Sequence, residues 1–336
     1  MILNIADLKK IAKGAEDIVQ GDRGIEFVRF HSEEQTLYLS SPIESRTHTP
    51  AGIQLRFRTD AKTLTVEMET ENCLDRSFFC LDVLKDGVPI GAIKNFDEEK
   101  MVGFYSWSSY PLGQFRETFG LGTGDKEVTL VLPWSVRCYF QKIALEDGSY
   151  ITPVATQKRI VMYGDSITHG YDSAHPCNTY AVKLAKALGA DCYIKAVGGE
   201  VFWPQLAQIK PRIEPEYVSV AYGANDWGKG DKATFDKNAE GFLNAIAENY
   251  KTSKILIIAP IWRKDHTQEG LGFGDMRYVY QRLAALCNGN DRMLCVDGWE
   301  LVPHEENLFG DLRLHPNDQG FDLYARNLYQ KIKDFI

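Results

Sequence analysis

The feature that most constrains the fold is a short apolar run closed by a Gly-Asp-Ser turn, at residues 158–168 (KRIVMYGDSIT). Residues 160–163 are β-branched, aromatic or otherwise apolar, without glycine or proline, and predict a buried strand. Gly164 permits a sharp turn that places Ser166 at the mouth of a sheet. Residues 179–188 then have helical spacing. A serine between strand and helix is where α/β folds place nucleophiles, although an isolated Gly-Asp-Ser is more often a plain turn.

The spacing of apolar residues changes near residue 153 and predicts two domains. Upstream, Asp86-Gly87 marks a hairpin between two apolar runs. Apolar and polar residues alternate at period two in several short runs, at residues 52–59, 63–68 and 128–132. Closely spaced strands without helices between them predict a jelly-roll β-sandwich. We therefore place a sandwich domain at residues 1–153 and a second domain at residues 154–336.

The second domain alternates apolar strand runs with helical stretches. The strand runs are residues 160–163, 192–197, 217–222, 255–261 and 293–296. The helical stretches are residues 179–188, 203–210, 234–250, 276–287 and 318–335. Five strands with helices between them predict an α/β domain, with a parallel sheet that helices cover on both faces.

Composition limits the kinds of binding partner and the cellular compartment that we expect for the protein. The net charge of −8 and the lack of a basic run argue against nucleic acid. No stretch approaches the ~18 consecutive apolar residues of a membrane helix, and the first residues lack the features of a signal peptide. The seven cysteines are odd in number and fit neither a zinc site nor a disulfide framework. We expect a cytoplasmic protein without a membrane partner; the sequence does not specify its oligomeric state.

Three further polar stretches follow predicted strands or precede the last helix. They are residues 196–200 (AVGGE), 222–226 (YGAND) and 311–318 (DLRLHPND). Because the carboxyl ends of parallel strands meet at one edge of a sheet, we expect these stretches to converge with Ser166.

The converging residues suit acyl transfer. Ser166 needs a base to take its proton, and His315 is placed to supply it. Attack on an ester carbonyl creates an oxyanion that needs preorganised donors. The backbone N–H groups of Ser166 and Gly199 and the side-chain amide of Asn225 can provide three.

These blocks together resemble a known family. Residues 164–168, Gly199, residues 223–226 and residues 315–318 look like the four sequence blocks of the SGNH (GDSL-type) hydrolases, in the family's order. The resemblance covers about residues 158–336 and implies a flavodoxin-like sheet, with neither cofactor nor metal. It also implies Ser166 as nucleophile, His315 as base, and an oxyanion hole formed by Ser166, Gly199 and Asn225. The N-terminal half is similar, more loosely, to the β-sandwich that precedes this domain in carbohydrate esterases such as family 2.

The sequence departs from the family pattern in two places. The fourth block usually reads Asp-x-x-His, but Leu312 stands three before His315 and Asp311 stands four before. Either Asp311 completes a triad through a one-residue bulge, or a backbone carbonyl orients the ring and a dyad operates. We take Asp311 as the third catalytic residue. The second block also lacks its usual asparagine, so Gly198 competes with Gly199 as the donor, and we choose Gly199.

We therefore predict a serine esterase that removes a short acyl group, acetyl by preference, from a carbohydrate oxygen. The partner is a small-molecule or oligosaccharide ester. The alternatives are a lipase or thioesterase acting on small substrates, and a carbohydrate-binding relative without catalysis.

Other aromatic and histidine residues are open to two interpretations. His169 is either a wall of the pocket or a packing residue. Aromatic residues near the site or in the sandwich either stack on a sugar or fill the core, namely Tyr105, Trp107, Tyr110, Trp227 and Trp262.

Overall fold

The computed structural model describes residues 1–101 and 105–336. Within them lie two antiparallel sheets, built by residues before 154, and one parallel sheet, built by residues after 157. The predicted α/β fold with an N-terminal β-sandwich is confirmed. The jelly-roll connection and the domain boundary at residue 153 stay predictions.

The first antiparallel sheet has six strands. They are β1 (Ala12–Lys13), β4 (Gln54–Thr59), β6 (Cys80–Lys85), β7 (Val88–Lys94), β9 (Lys126–Val131) and β11 (Thr152–Pro153). They lie in the order β1-β4-β9-β6-β7, with β11 beside β4. The turn between β6 and β7 holds Asp86 and Gly87 at φ of 49° and 79°, as the Asp-Gly pair predicts.

The second antiparallel sheet packs against the first. Its strands are β2 (Asp17–Gly21), β3 (Gly24–Val28), β5 (Thr63–Asn72), β8 (Gln114–Gly120) and β10 (Val136–Leu145), in the order β2-β3-β10-β5-β8. Alternate residues of β5 (Leu64, Val66 and Met68) are fully buried in one core with Leu55 and Phe57 of β4. The period-two pattern therefore marks the inner face of the sandwich.

The parallel sheet has the strand order β13-β12-β14-β15-β16, which is the flavodoxin-like order. Its strands are β12 (Lys158–Gly164), β13 (Ala190–Ala196), β14 (Tyr217–Ala221), β15 (Lys254–Ile258) and β16 (Met293–Val296). Side chains of β12 alternate between two cores: Ile160 and Met162 pack on one face, Val161 and Tyr163 on the other. Because both faces are buried, the run is apolar throughout.

Helices cover both faces of this sheet, and two more lie near the N-terminus. They are α1 (Ile5–Ile11), α2 (Ser32–Tyr38), α3 (Ser166–His169), α4 (Tyr180–Leu188), α5 (Pro204–Gln208), α6 (Ala224–Lys229), α7 (Lys232–Asn249), α8 (Arg277–Cys287) and α9 (Asp318–Ile332). Short 3₁₀ turns lie at Glu44–His48, Glu98–Lys100, Pro176–Asn178 and Glu306–Leu308. In the part of the chain that is described, no helix has the length and apolarity to cross a membrane.

Buried charged side chains join the sandwich to the parallel sheet. Arg29, which is 1% exposed, donates hydrogen bonds to the carbonyls of Ile194 and Ala196. Lys195, which lies between these two residues in β13, pairs with Glu16 at 2.9 Å and Glu34 at 2.6 Å. Removing one partner from such a pair typically costs ~3–5 kcal/mol, because the other charge stays buried. These contacts fix the edge strand of the parallel sheet against the sandwich.

Candidate active site

The turn after β12 presents Ser166 at the edge of the sheet. The side chain of Asp165 caps α3 by accepting a hydrogen bond from the N–H of Ile167 at 3.0 Å. Ser166 is the first residue of α3, so its own N–H has no partner within the helix. A Cβ on Gly164 would lie 2.3 Å from the hydroxyl of Thr168, so the turn requires glycine there. The serine therefore stands at the strand-to-helix turn that the sequence predicts.

A hydrogen-bonded chain links Ser166 to His315 and Asp311. The Ser166 Oγ lies 2.7 Å from His315 Nε2, and His315 Nδ1 lies 2.8 Å from Asp311 Oδ2. All three side chains are largely buried. A carboxylate on the far nitrogen favours the tautomer in which Nε2 can accept a proton from the hydroxyl. The arrangement is thus able to generate a nucleophilic serine.

The loop before α9 absorbs the extra residue between Asp311 and His315. Leu312 takes a left-handed conformation, with φ of 55°. Asp311 Oδ1 then accepts hydrogen bonds from the backbone N–H groups of Arg313 at 3.0 Å, Leu314 at 2.7 Å and His315 at 3.1 Å. Burial favours the neutral acid, but the His315 ring and these N–H groups outweigh it and hold the pKa of Asp311 well below its usual range. Asp311 therefore faces His315 as a carboxylate.

The two glycines after β13 are the candidate donors to the oxyanion, and their N–H groups make different contacts. The N–H of Gly198 donates to His169 Nδ1 at 3.2 Å, and His169 Nε2 lies 2.7 Å from the Thr49 hydroxyl. Burial and the nearby Arg29 hold the pKa of His169 well below its usual value, so this ring is neutral. Gly199, at φ of 85°, lines the same cleft as Ser166, and its N–H has no acceptor among the described residues. Gly199 rather than Gly198 is thus left to donate, and His169 lies behind the cleft wall.

Asn225 also lines the cleft, from the start of α6. Gly223, at φ of 117°, makes the turn after β14 that brings it there. Its side-chain nitrogen donates to the carbonyl of Glu200 at 3.0 Å, which leaves the second amide hydrogen for a ligand. Asn225, Ser166 and Gly199 all line one cleft of about 400 Å³.

Glu200 and Asp226 are not placed to act on a substrate. Glu200 is 3% exposed and accepts hydrogen bonds from Tyr38 at 2.6 Å and Tyr222 at 3.0 Å. Burial raises the pKa of Glu200 to about 8 and that of Asp226 to about 7. Neither side chain lines the cleft. Below about pH 7 both carboxyl groups are therefore largely protonated and form an uncharged, buried layer.

The sequence interpretation missed a second carboxylate beside His315. Asp172 Oδ2 lies 3.7 Å from His315 Nδ1, and Asp172 Oδ1 accepts a hydrogen bond from Arg76 Nε at 2.8 Å. Burial raises the pKa of Asp172, against the opposing effects of His315 and Arg76. Asp172 is six positions after Ser166, which is the one sequence signal it offers. Arg76 lies 96 positions away, and no local pattern connects them.

Of the aromatic residues that the sequence offers for stacking on a sugar, Trp107 reaches the cleft. It is 51% exposed, and the Arg76 guanidinium lies 3.9 Å from the centre of its ring. Tyr105 instead donates its hydroxyl to the Asp172 carbonyl, and Tyr110 packs on Phe78. Trp227 is fully buried, whereas Trp262 stacks on His304. A flat, exposed ring beside the cleft is suited to stacking on a sugar.

A sequence comparison identifies a family for the parallel-sheet part of the chain. Residues 162–323 match the model of the GDSL-like lipase/acylhydrolase family. Among curated proteins, none is similar enough in sequence to match this chain.

Solved structures with the same fold span both halves of the chain. The salicylyl-acyltransferase SsfX3 of a tetracycline biosynthetic pathway has a TM-score of 0.78 at 20% identity, over 96% of this chain and 94% of its own. A candidate GDSL-like lipase from Bacteroides ovatus has a TM-score of 0.76 at 15% identity, over 100% and 97%. A family two carbohydrate esterase from Cellvibrio japonicus has a TM-score of 0.67 at 17% identity, over 100% and 97%. Residues 162–323 are therefore a domain of the GDSL-like lipase/acylhydrolase family, and the chain is an ester-hydrolysing enzyme.

Proposed function

We propose that the chain is a serine esterase that removes a short acyl group, acetyl by preference, from an oxygen of a carbohydrate. The observation that carries the proposal is the chain of hydrogen bonds from Ser166 through His315 to Asp311, at the mouth of a cleft with open amide donors. A protein that only bound carbohydrate would not need a serine, histidine and carboxylate in this arrangement. The seven free thiols support a cytoplasmic location.

In the first half of the reaction, the Ser166 Oγ attacks the ester carbonyl carbon while His315 Nε2 takes its proton. The carbonyl oxygen becomes an oxyanion that the N–H groups of Ser166 and Gly199 and the amide of Asn225 stabilise. His315 then passes its proton to the leaving alcohol oxygen, and the acyl group remains on Ser166. Asp311 keeps the ring in the required tautomer and stabilises the imidazolium.

In the second half, a water molecule takes the place of the alcohol. His315 removes a proton from the water, the resulting hydroxide attacks the acyl carbon, and the same donors hold the second oxyanion. Collapse of this intermediate returns the proton to the Ser166 Oγ and releases the carboxylic acid. The chain's own side chains supply every proton transfer in this cycle.

The walls of the cleft favour a short acyl group on a polar alcohol. Seven charged side chains contribute to its lining, together with the exposed ring of Trp107 (Arg46, Asp75, Arg76, Lys229, Arg263, Asp265 and Arg313). A long acyl chain would have to remove water from these charges without replacing their hydrogen bonds, which is costly. The similar structure of a carbohydrate esterase supports the same class of alcohol.

A panel of p-nitrophenyl esters from acetate to octanoate tests the acyl preference. We expect kcat/KM to be highest for acetate and to fall at least tenfold by octanoate. Acetylated methyl glycosides tested beside them should release acetate. Equal or higher activity on octanoate, with no acetate release from the glycosides, would favour the lipase alternative.

Replacing Asn225 with alanine tests the oxyanion hole. We expect kcat to fall about 10²–10³-fold with a much smaller change in KM, because the lost hydrogen bond matters most in the transition state. Kinetics on p-nitrophenyl acetate provide the measurement, and Asn238→Ala on α7 is a control for the loss of an amide. A defect confined to KM would make Asn225 a substrate-binding residue instead.

A further inference from the structure

The cleft is positively charged in a protein that carries a net charge of −8. Five basic and two acidic side chains line it. The five basic residues fall into two groups that come from different parts of the fold. Arg46 and Arg76 come from the N-terminal half, whereas Lys229, Arg263 and Arg313 come from loops or helix ends of the parallel-sheet half.

In the first group, acids offset the charge. Asp172 holds Arg76 at 2.8 Å, and Asp75 lies 3.3 Å from Arg76 Nη1 and 4.0 Å from Arg46. Arg46 also donates to the carbonyl of Gly198 at 2.7 Å. Two carboxylates therefore face two guanidinium groups, and this side of the cleft has no surplus charge.

The second group has three cations and one acid, Asp265, in the lining of the cleft. Asp265 accepts hydrogen bonds from both Arg263 and Arg313. Lys229, at the end of α6, has no carboxylate within ion-pair distance in the described chain. Among the side chains that line this part of the cleft, cations therefore outnumber acids by three to one.

Arg263 is the buried member of this group. It is 6% exposed and binds Asp265 through Nε and Nη2. Its remaining nitrogen, Nη1, has no acceptor among the described residues and lies next to Gly228, the neighbour of Lys229 in α6. Because Arg263 lines the cleft, a guanidinium nitrogen without a protein acceptor can donate a charge-assisted hydrogen bond to an anionic ligand there. An anion between Lys229, Arg263 and Arg313 would accept that bond.

We propose that the ester substrate carries an anionic group, a carboxylate, sulfate or phosphate, that binds among Lys229, Arg263 and Arg313 while the ester lies at Ser166. This inference rests on the proposed esterase function and specifies its substrate class. An acylated acidic sugar satisfies both requirements, because its ring carries the acyl oxygen and the charge a few bonds apart.

Matched substrates test the charge alone. The tri-O-acetyl methyl glycosides of glucuronate and of its uncharged amide differ by one ionised group, and acetate release gives kcat/KM for each. We expect at least a tenfold preference for the glucuronate, which falls as salt is raised from 0.05 to 0.5 M because the pocket is open to solvent. The corresponding acetylated glucoside 6-phosphate distinguishes a carboxylate site from a phosphate site. A preference below twofold for both anions would overturn the proposal.

Lys229→Gln tests the location of the site. We expect it to reduce the glucuronate-to-amide preference at least fivefold, whereas Lys237→Gln, an equal charge change at an exposed position of α7, should leave the preference unchanged. The same loss of preference in both variants, or in neither, would overturn the assignment to this group.

Failure of the esterase proposal remains distinguishable from failure of this one. If p-nitrophenyl acetate and the glycosides are not hydrolysed, the esterase proposal is wrong. Calorimetric titration of the protein with methyl glucuronoside and its amide then decides the anion site by itself. Tighter binding of the glucuronoside that weakens in Lys229→Gln supports the site, and equal binding of the two overturns it.

Discussion

Ser166→Ala should reduce ester hydrolysis by roughly 10⁴–10⁶-fold while leaving the fold intact. The hydroxyl is the one nucleophilic atom within hydrogen-bond distance of His315 Nε2, at 2.7 Å, in the described chain. Without it, the amide donors and the cleft can still bind an ester, but no acyl-enzyme forms. The residual rate should be that of water attack assisted by the remaining donors. Steady-state kinetics on p-nitrophenyl acetate, with a thermal melt to check folding, measure the effect.

A matched serine substitution supplies the control. Ser219 in β14 is fully buried, and its hydroxyl has no hydrogen-bond partner among the described residues. Ser219→Ala therefore makes the same chemical change without breaking a contact, and activity should stay near the wild-type level. A serine-directed phosphonate should label the wild type at Ser166. Labelling at another serine, or undiminished activity of Ser166→Ala, would contradict the assignment.

The second large effect is expected for Asp311→Asn, about 10⁴-fold in kcat. The reason lies in how the loop holds the side chain. Because Asp311 Oδ1 accepts three backbone N–H groups, an asparagine would place its oxygen there and turn its NH₂ group toward His315 Nδ1. Nδ1 would then have to accept, so the ring proton would move to Nε2. In that tautomer the nitrogen facing Ser166 cannot take its proton.

His315→Ala and Asp172→Asn complete this experiment. His315→Ala should be as inactive as Ser166→Ala. Asp172→Asn should lose less activity than Asp311→Asn, because its carboxylate lies 3.7 Å from Nδ1, beyond hydrogen-bond distance. A loss of tenfold or less for Asp311→Asn, with His315→Ala nearly inactive, would remove Asp311 from the mechanism. A large loss for Asp172→Asn, with its melt unchanged, would then identify Asp172 as the carboxylate that orients the ring.

Local periodicity predicts most of the fold, because most strands and helices show their buried face in sequence. Residues 160–163 lie within β12, and residues 234–250 correspond to α7. The helix α2 was not predicted, since Glu34 and Tyr38 in it are buried through polar contacts with Lys195 and Glu200. Such contacts, about 160 positions apart, leave no apolar stripe for a pattern to detect.

The candidate site also has a part that the sequence predicts and a part that it does not. Ser166, Gly199, Asn225 and His315 were placed together from sequence because parallel strands end at one edge of a sheet. The left-handed Leu312 could not be predicted, since its conformation depends on how the loop closes around Asp311 rather than on its own preference. The pairing of Arg76 with Asp172 depends on how the sandwich packs against the parallel sheet, which no local pattern records. The catalytic roles themselves stay predictions.

The cleft is assembled from two parts of the chain that can vary separately. Ser166, His315 and Asp311 come from the parallel-sheet half, whereas Arg46, Arg76 and Trp107 approach from the sandwich. Substitutions in the sandwich loops can therefore alter which alcohol is accepted without touching the nucleophile or its base. For an evolving lineage, this separates the search for new substrates from the maintenance of the chemistry. For an engineer, the loop that carries Trp107 is the place to graft a new preference onto an intact esterase.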